Sequence, residues 1–364
     1  MKKFTIITTY PEFGTQNIGD QLITNSLNSV LDAISSDYKV SIVWREQQYN
    51  QDLDLLLKNS DAIIFACLAI RPSFSEIEYP FIDKILDLDI PLYIVSSGTA
   101  LNVSGVGKLE DYLTEKSIHT LRRLGEKSCH FGVRGLLSYK YLSDMGIKNI
   151  SFTGDVAFYD PKYEYKEMRL PESIKTIVVS DPHRAIAYKN AFICLINQLK
   201  YKFPDANIVL ALHGKNMIIS ELAQQLKIEI NYIYKNKDEG LSIYDIADLH
   251  IGFRVHAHVS MLKRRKVSYL LEQDGRGCDY GLSIPHKISV PCHQHYFKNL
   301  SLDFFKDLIK YRSKHTLKQA SVNDVKILMV VLEHDFNTGF ERFVGLDKSI
   351  DSFILKVKDG LKGI

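Results

Sequence analysis

Short β-branched runs separated by longer amphipathic stretches constrain this chain more than any other feature. Phe4–Thr9, Val40–Val43, Ala62–Ala66, Leu92–Ser96 and His130–Val133 are strand-like, with helix-like stretches at 20–34, 52–58, 75–88, 108–124 and 136–145 between them. A parallel neighbour is reached only through a crossover. Strands alternating with helices therefore predict βαβ units and an open α/β sheet covered on both faces. The polar segment 161–173 holds Pro161 and Pro171, has no hydrophobic period and reads as a linker. Alternation resumes with strands at 176–179, 208–212, 230–233, 250–253 and 267–271 and helices at 187–202, 217–226 and 242–247. A further short strand is expected at 149–153. Beyond about Ser301 the pattern is purely helical, near 302–311, 322–332 and 346–361. With 364 residues there is apolar material for two cores. The expected organisation is a first α/β domain over 1–160, a linker over 161–173, a second over 174–300 and a helical tail over 301–364. Two such domains form a cleft.

Charge decides how a ligand can be met. Against 46 Lys+Arg stand 43 Asp+Glu, a net charge of +3, which is too even for a chain that coats nucleic acid or binds a membrane through a polybasic face. Any anionic ligand must find a local cluster. The five cysteines are scattered without a C-x-x-C pair, which argues for free thiols in a reducing compartment. The apolar run at 4–9 is interrupted by threonines and reads as a first strand rather than a signal peptide. No apolar run reaches the roughly 18–20 residues of a membrane span. A cytoplasmic protein is expected.

Five places can carry chemistry. The turn after the first strand ends in Asn17-Ile18-Gly19-Asp20 at the start of a helix, and its amides face the carboxyl end of the sheet. It is neither G-x-G-x-x-G nor a Walker motif, so dinucleotide and P-loop readings fail. Asp20 is either a functional carboxylate or a helix cap. Gly252-Phe253-Arg254-Val255-His256-Ala257-His258 follows a strand and opens a helix. Arg254 offers a planar fork for carboxylate or phosphate and His256 a proton near neutral pH, as a phosphorylated substrate requires. The bland alternative is a structural ion pair and a core histidine. Zinc would need a third ligand at a recognisable spacing, and only Cys292-His293-Gln294-His295 clusters elsewhere, so no metal is expected. Arg134 follows the strand 130–133. Asp155, after Gly154, is a base, an orienting group or a turn residue. Arg276 lies in the glycine-rich stretch 274–281, read as a loop. The densest basic run, Lys263-Arg264-Arg265-Lys266, reads as a solvated helix end, with contact to anionic lipid head groups or a lipid-diphosphate acceptor as the alternative.

In order and spacing, these residues resemble the polysaccharide pyruvyl transferase family. The resemblance rests on Asn17-Ile18-Gly19-Asp20, on Gly132-Val133-Arg134 with Ser138 and Leu142, and on Gly154-Asp155-Val156-Ala157-Phe158. It continues through Ile246-Ala247-Asp248 and Gly252-Phe253-Arg254-Val255-His256-Ala257, spanning roughly Thr9 to Ser283. Two departures stand out. Cys67-Leu68-Ala69-Ile70-Arg71 has no glycine where the family commonly has a glycine-rich turn, and Gly135 replaces the acidic residue that often follows the arginine.

The resemblance implies two Rossmann-like domains facing across a cleft, similar to GT-B glycosyltransferases, with the tail packing back on the first domain. The implied reaction moves the pyruvyl group of phosphoenolpyruvate onto two hydroxyls of a saccharide, as in surface or exopolysaccharide biosynthesis. A cyclic ketal forms and phosphate is released. Arg134 and Arg254 are then expected to hold the donor's anionic groups, His256 to act as acid, and Asp155 or Asp20 as base. Asn17, Gly19, Arg276 and His258 are expected to bind substrate. No cofactor beyond the donor and no nucleic acid is expected. The acceptor is a lipid-linked, nucleotide-linked or polymeric saccharide, and a lipid-linked one would bring the protein to the inner face of the membrane. The competing readings are a GT-B glycosyltransferase using a nucleotide sugar and a non-catalytic saccharide-binding protein on the same fold.

Overall fold

The computed structural model describes residues 1–10, 17–101, 108–236, 239–296 and 318–364. They form two compact units, one of Met1–Lys166, Cys278–Pro285 and Gly345–Ile364, the other of Glu167–Gly277 and His286–Val344. The first boundary lies inside the expected linker. Residues 278–285, expected in the second domain, belong to the first unit, and the expected tail is divided between the two.

In the first unit the strands are β1 (Lys2–Thr8), β2 (Tyr38–Trp44), β3 (Ala62–Phe65), β4 (Leu68–Ile70), β5 (Leu92–Thr99), β6 (His130–Val133) and β7 (Ile150–Phe152). They pair in parallel in the order β2-β1-β3-β5-β6-β7, with β4 beside β5. β3 is apolar and buried at every residue, as a central parallel strand covered on both faces must be. The chain runs from β1 outward to β2 and returns to β3 on the other side, so the strand order reverses between β1 and β3. Helices α1 (Ile18–Ile34), α2 (Gln51–Lys58), α3 (Ile82–Asp87), α4 (Glu115–Lys127) and α5 (Leu136–Asp144) make the crossovers. Asn17 caps α1 by accepting from the Gly19 amide at 3.2 Å. The helix expected at 75–88 breaks around Pro80, which cannot donate within a helix. The one expected at 108–124 starts later, where Thr114 caps α4. The C-terminal helix Leu346–Gly360 lays Phe353 against Phe152 and Phe158, at 5.5 and 6.0 Å between ring centroids.

The second unit repeats the plan. β8 (Thr176–Ser180), β9 (Asn207–Ala211), β10 (Glu229–Asn231), β11 (Leu249–Gly252), β12 (Val267–Glu272) and β13 (Ser289–Pro291) pair in parallel in the order β10-β9-β8-β11-β12-β13. Helices α6 (Ala185–Lys202), α7 (Met217–Gln225), α8 (Ile243–Ile246) and α9 (Val255–Lys263) connect them. α6 buries Tyr188, Ala191, Phe192, Leu195, Ile196 and Leu199, the three-and-four spacing of a core-facing stripe. The short strands β14 (Gln294–Tyr296) and β15 (Lys318–Ala320) pair antiparallel, so the segment after Ser301 is not purely helical. The helix expected at 302–311 lies outside the described residues. The glycine-rich stretch 274–281 is not a loop: Gly275–Ser283 form helix α10. Among the described residues no helix is long and apolar enough to cross a membrane, and all five cysteines are free thiols.

The basic run corrects a further expectation. Lys263, Arg264 and Arg265 are 8, 7 and 1% exposed, which is neither a solvated helix end nor a face open to lipid. Arg264 donates through Nε to Asp245 at 2.7 Å and through Nη1 and Nη2 to the carbonyls of Ser260 and Leu241. Lys266 donates to the carbonyls of Tyr244, Asp245 and Ala247. The charge of Arg264 thus goes to the Asp245 carboxylate and two carbonyls, and that of Lys266 to the carbonyls ending α8, which otherwise lack partners.

Candidate functional site

In the first unit the functional candidates collect at the carboxyl ends of the strands, where open α/β sheets bind ligands. α1 follows β1 and carries Asp20 in its first turn, where Oδ2 accepts from Asn17 Nδ2 at 3.2 Å. Cys67 follows β3 and is buried, which pushes its thiol up to about 11. Arg134 follows β6, and Asp155 follows β7.

Arg134 is 7% exposed. Its backbone amide is bonded to Ser97, but among the described residues its guanidinium forms no ion pair, and its buried Nε has no hydrogen-bond partner. It lies 5.9 Å over the ring of Tyr280. Burial works against its charge, yet Tyr280, Cys67, Asp155 and Asp279 together hold its proton affinity above the ordinary arginine value. Room for the side chain comes from Gly98 at the end of β5, where a Cβ would sit 2.3 Å from Arg134 Nε. Asp155 is buried with both oxygens engaged: Oδ1 accepts from the Ala157 amide at 2.8 Å and Oδ2 from the Tyr280 hydroxyl. Burial, then Asp155, raises the Tyr280 phenol well above its usual range.

The second unit builds a denser polar cluster around the start of α9. Arg254 precedes the helix and grips Asp181 with two nitrogens, Nε to Oδ1 at 3.1 Å and Nη2 to Oδ2 at 2.7 Å. Asp181 also accepts from the His213 amide at 3.1 Å and from Asn216 Nδ2 at 3.0 Å. Its four lone-pair positions are thus filled. Burial would raise the Asp181 carboxyl, but Arg254 holds it below the usual range. The remaining guanidinium nitrogen, Nη1, lies 3.4 Å from His183 Nδ1. His256 is half-buried in the first turn of α9.

Behind Arg254 runs a buried hydrogen-bond chain whose direction follows from counting donors. Ser180 Oγ accepts from the amides of Phe253 and Arg254, both at 3.0 Å, so its own proton goes to His250 Nε2 at 2.9 Å. His250 Nδ1 then donates to Ser268 Oγ, and Ser268 donates to His258 Nδ1, each at 2.7 Å. Gly252 permits this approach, since a Cβ there would lie 2.5 Å from Ser180 Oγ. His258 is therefore a core residue, 1% exposed; its charge is excluded by burial, which lowers it to about 3.

Burial also lowers His213 to about 3, His183 to about 4 and His250 well below its usual value. These imidazoles are neutral in the fold and take up protons near pH 6.5 when unfolded. The unfolded state then binds more protons, so stability is complete above about pH 6.5 and falls as pH drops from there towards 4 and 3. Urea midpoints followed from pH 7 to pH 4 should decline, and a flat profile would mean that these histidines are charged in the native state.

Arg276 is bound to Asp274, Nη2 to Oδ2 at 2.6 Å and Nε to Oδ1 at 3.1 Å. In the same stretch it is Tyr280, with Asp279, that joins the site of the first unit. Sequence reasoning also passed over Asp181, His183 and His213. The signal for Asp181 was its place directly after strand β8, at the carboxyl end of the sheet that also presents Arg254.

The sequence pattern of the family described as polysaccharide pyruvyl transferase matches residues 17–260. That range contains Asn17, Gly19, Asp20, Arg134, Asp155, Arg254 and His256 and stops before α10. No curated protein matches the chain. Among solved structures, the UDP-GlcNAc 2-epimerase of Neisseria meningitidis bound to UDP-GlcNAc is 10% identical, with 99% of each chain covered and a TM-score of 0.53. A UDP-N-acetylglucosamine 2-epimerase described as putative, from Listeria monocytogenes, is 11% identical over 94% of this chain and 97% of its own, with a TM-score of 0.46. The first of these shares the fold, two parallel-sheet α/β units of the GT-B kind. With the family pattern running through most of its length, this chain belongs to the polysaccharide pyruvyl transferase family.

Proposed function

We propose that the protein transfers the pyruvyl group of phosphoenolpyruvate to two hydroxyls of a saccharide, leaving a cyclic ketal and releasing phosphate. One observation carries this reading: a buried arginine, Arg134, whose charge no carboxylate of the described residues pairs with and whose Nε lacks a partner. A cation kept in that state at the carboxyl end of a parallel sheet is reserved for an anionic group of a substrate.

His256 delivers a proton to the methylene carbon, which becomes the methyl group, and C2 turns electrophilic. The first sugar hydroxyl bonds to C2 and gives up its proton. The C2–O bond to phosphate breaks with its electron pair, and the second hydroxyl closes the ring. Of the two hydroxyl protons, one replaces that spent on the methyl group and the other leaves with phosphate. Asp20 is the better base, because both oxygens of Asp155 are already engaged. Arg254 has only Nη1 outside its grip on Asp181, and we assign that nitrogen to the donor phosphate.

The decisive assay is phosphate release from phosphoenolpyruvate across a panel of glycosides. His256→Ala should lower turnover by about a hundredfold or more while phosphoenolpyruvate affinity stays. Thermal stabilisation by a nucleotide sugar but not by phosphoenolpyruvate would replace this reading with glycosyl transfer.

A further inference from the structure

Gly135, directly after Arg134, stands at the N-cap of helix α5 and gives it no side-chain cap. Gly135 has φ −145° and ψ 153°, the extended conformation any N-cap residue adopts, so its backbone does not require glycine. What requires glycine is Asp279. A Cβ at position 135 would lie 2.0 Å from Asp279 Oδ1 and 2.1 Å from its carboxyl carbon. Asp279 Oδ1 accepts from the amides of Leu137 at 2.9 Å and Ser138 at 3.4 Å, the second and third residues of the helix, which are the bonds an aspartate at the N-cap would make for itself. Its Oδ2 accepts from Ser138 Oγ at 2.5 Å, and Ser138 Oγ accepts from the Thr99 amide at 3.2 Å. Thr99 follows Gly98, whose Cα faces Arg134 Nε. The next residue of α10, Tyr280, supplies the ring beneath the Arg134 guanidinium and the hydroxyl on Asp155.

We propose that Asp279, a residue beyond the family match, is a positioning residue for Arg134: it caps α5 in place of the missing side chain at Gly135 and, through Ser138 and Thr99, fixes the walls against which the guanidinium lies. The functional part of this rests on reading Arg134 as the anion-binding residue.

A reciprocal cycle tests it. Gly135→Asp alone forces two carboxylates together, and Asp279→Ala alone leaves α5 uncapped. Each should weaken phosphoenolpyruvate affinity about tenfold, the loss of one charge-assisted bond. Gly135→Asp/Asp279→Ala moves the cap onto the helix itself and should recover most of it. The 15Nε resonance of Arg134, identified by its absence from Arg134→Lys, should shift in each single variant and return in the double. If Asp279→Ala does not fold, Asp279→Asn keeps an acceptor for Leu137 and must still shift the resonance. Additive losses in the double, or an unmoved resonance in the singles, overturn the proposal. If Arg134→Met binds phosphoenolpyruvate as the native chain does, the functional reading falls while the resonance cycle still decides the positioning role.

Discussion

Replacing Arg134 by methionine should lower turnover by roughly a hundredfold to a thousandfold while the thermal midpoint stays level or rises. Methionine fills the space of the aliphatic stem and removes the guanidinium with its charge, so the contact of Arg134 Cζ with the Tyr280 ring goes with it. In a structural ion pair, loss of the cation would strand a buried carboxylate and cost roughly 3–5 kcal/mol. Here the neighbouring carboxylates are satisfied without it. Asp155 has the Ala157 amide and the Tyr280 hydroxyl, and Asp279 has α5 and Ser138. The fold bears the desolvation of the guanidinium with no bond to Nε in return, the arrangement of a group kept for a ligand rather than for stability. In a desolvated site a lost cationic contact to developing charge lowers turnover by roughly a hundredfold to a thousandfold. Phosphate release and a thermal melt on the same preparation decide the matter. A midpoint that drops steeply with turnover intact would make Arg134 a structural residue.

The contrast between what was legible in the sequence and what was not follows from range. A parallel sheet delivers the residue after each strand to one edge, so β-branched runs were enough to place Asp20, Arg134, Asp155 and Arg254 at carboxyl ends. α10 was hidden for two physical reasons. Gly275, Gly277 and Gly281 read as loop punctuation, although Gly277 is there because a Cβ would lie 2.8 Å from Glu272 Cα. The partners of Asp279 and Tyr280, Ser138 and Asp155, are more than 120 residues away in sequence, beyond any local pattern. The basic run misled because four adjacent cations look like a solvated end until Arg264 is seen to pair with Asp245 and Lys266 to take up the carbonyls at the end of α8. Arg254 offered two readings, anion clamp or structural ion pair, and no sequence pattern marked Asp181 as its partner.

That pairing shapes the second large effect. Arg254→Ala, the obvious test of donor binding, leaves Asp181 fully buried with its strongest partner gone. Asp181→Ala leaves the guanidinium, among the described residues, with His183 as its one remaining side-chain hydrogen-bond partner. Either change should destabilise the second unit by roughly 3–5 kcal/mol, so lost activity in Arg254→Ala would say nothing about the donor. The informative variant removes both charges. Asp181→Leu/Arg254→Met replaces the pair with apolar groups of similar volume and should recover most of the lost stability, because His213 and Asn216 lose bonds to Asp181 but strand no charge. Turnover should stay lost, since the Nη1 nitrogen assigned to donor phosphate is gone. The lone tryptophan, Trp44, lies in the first unit, so hydrogen exchange of the β8 and β11 amides reports the second unit separately. Restored protection with phosphate release still absent makes Arg254 a residue with two roles, holding its own loop through Asp181 and the donor through the nitrogen left over. Restored protection with restored turnover would reduce it to the first.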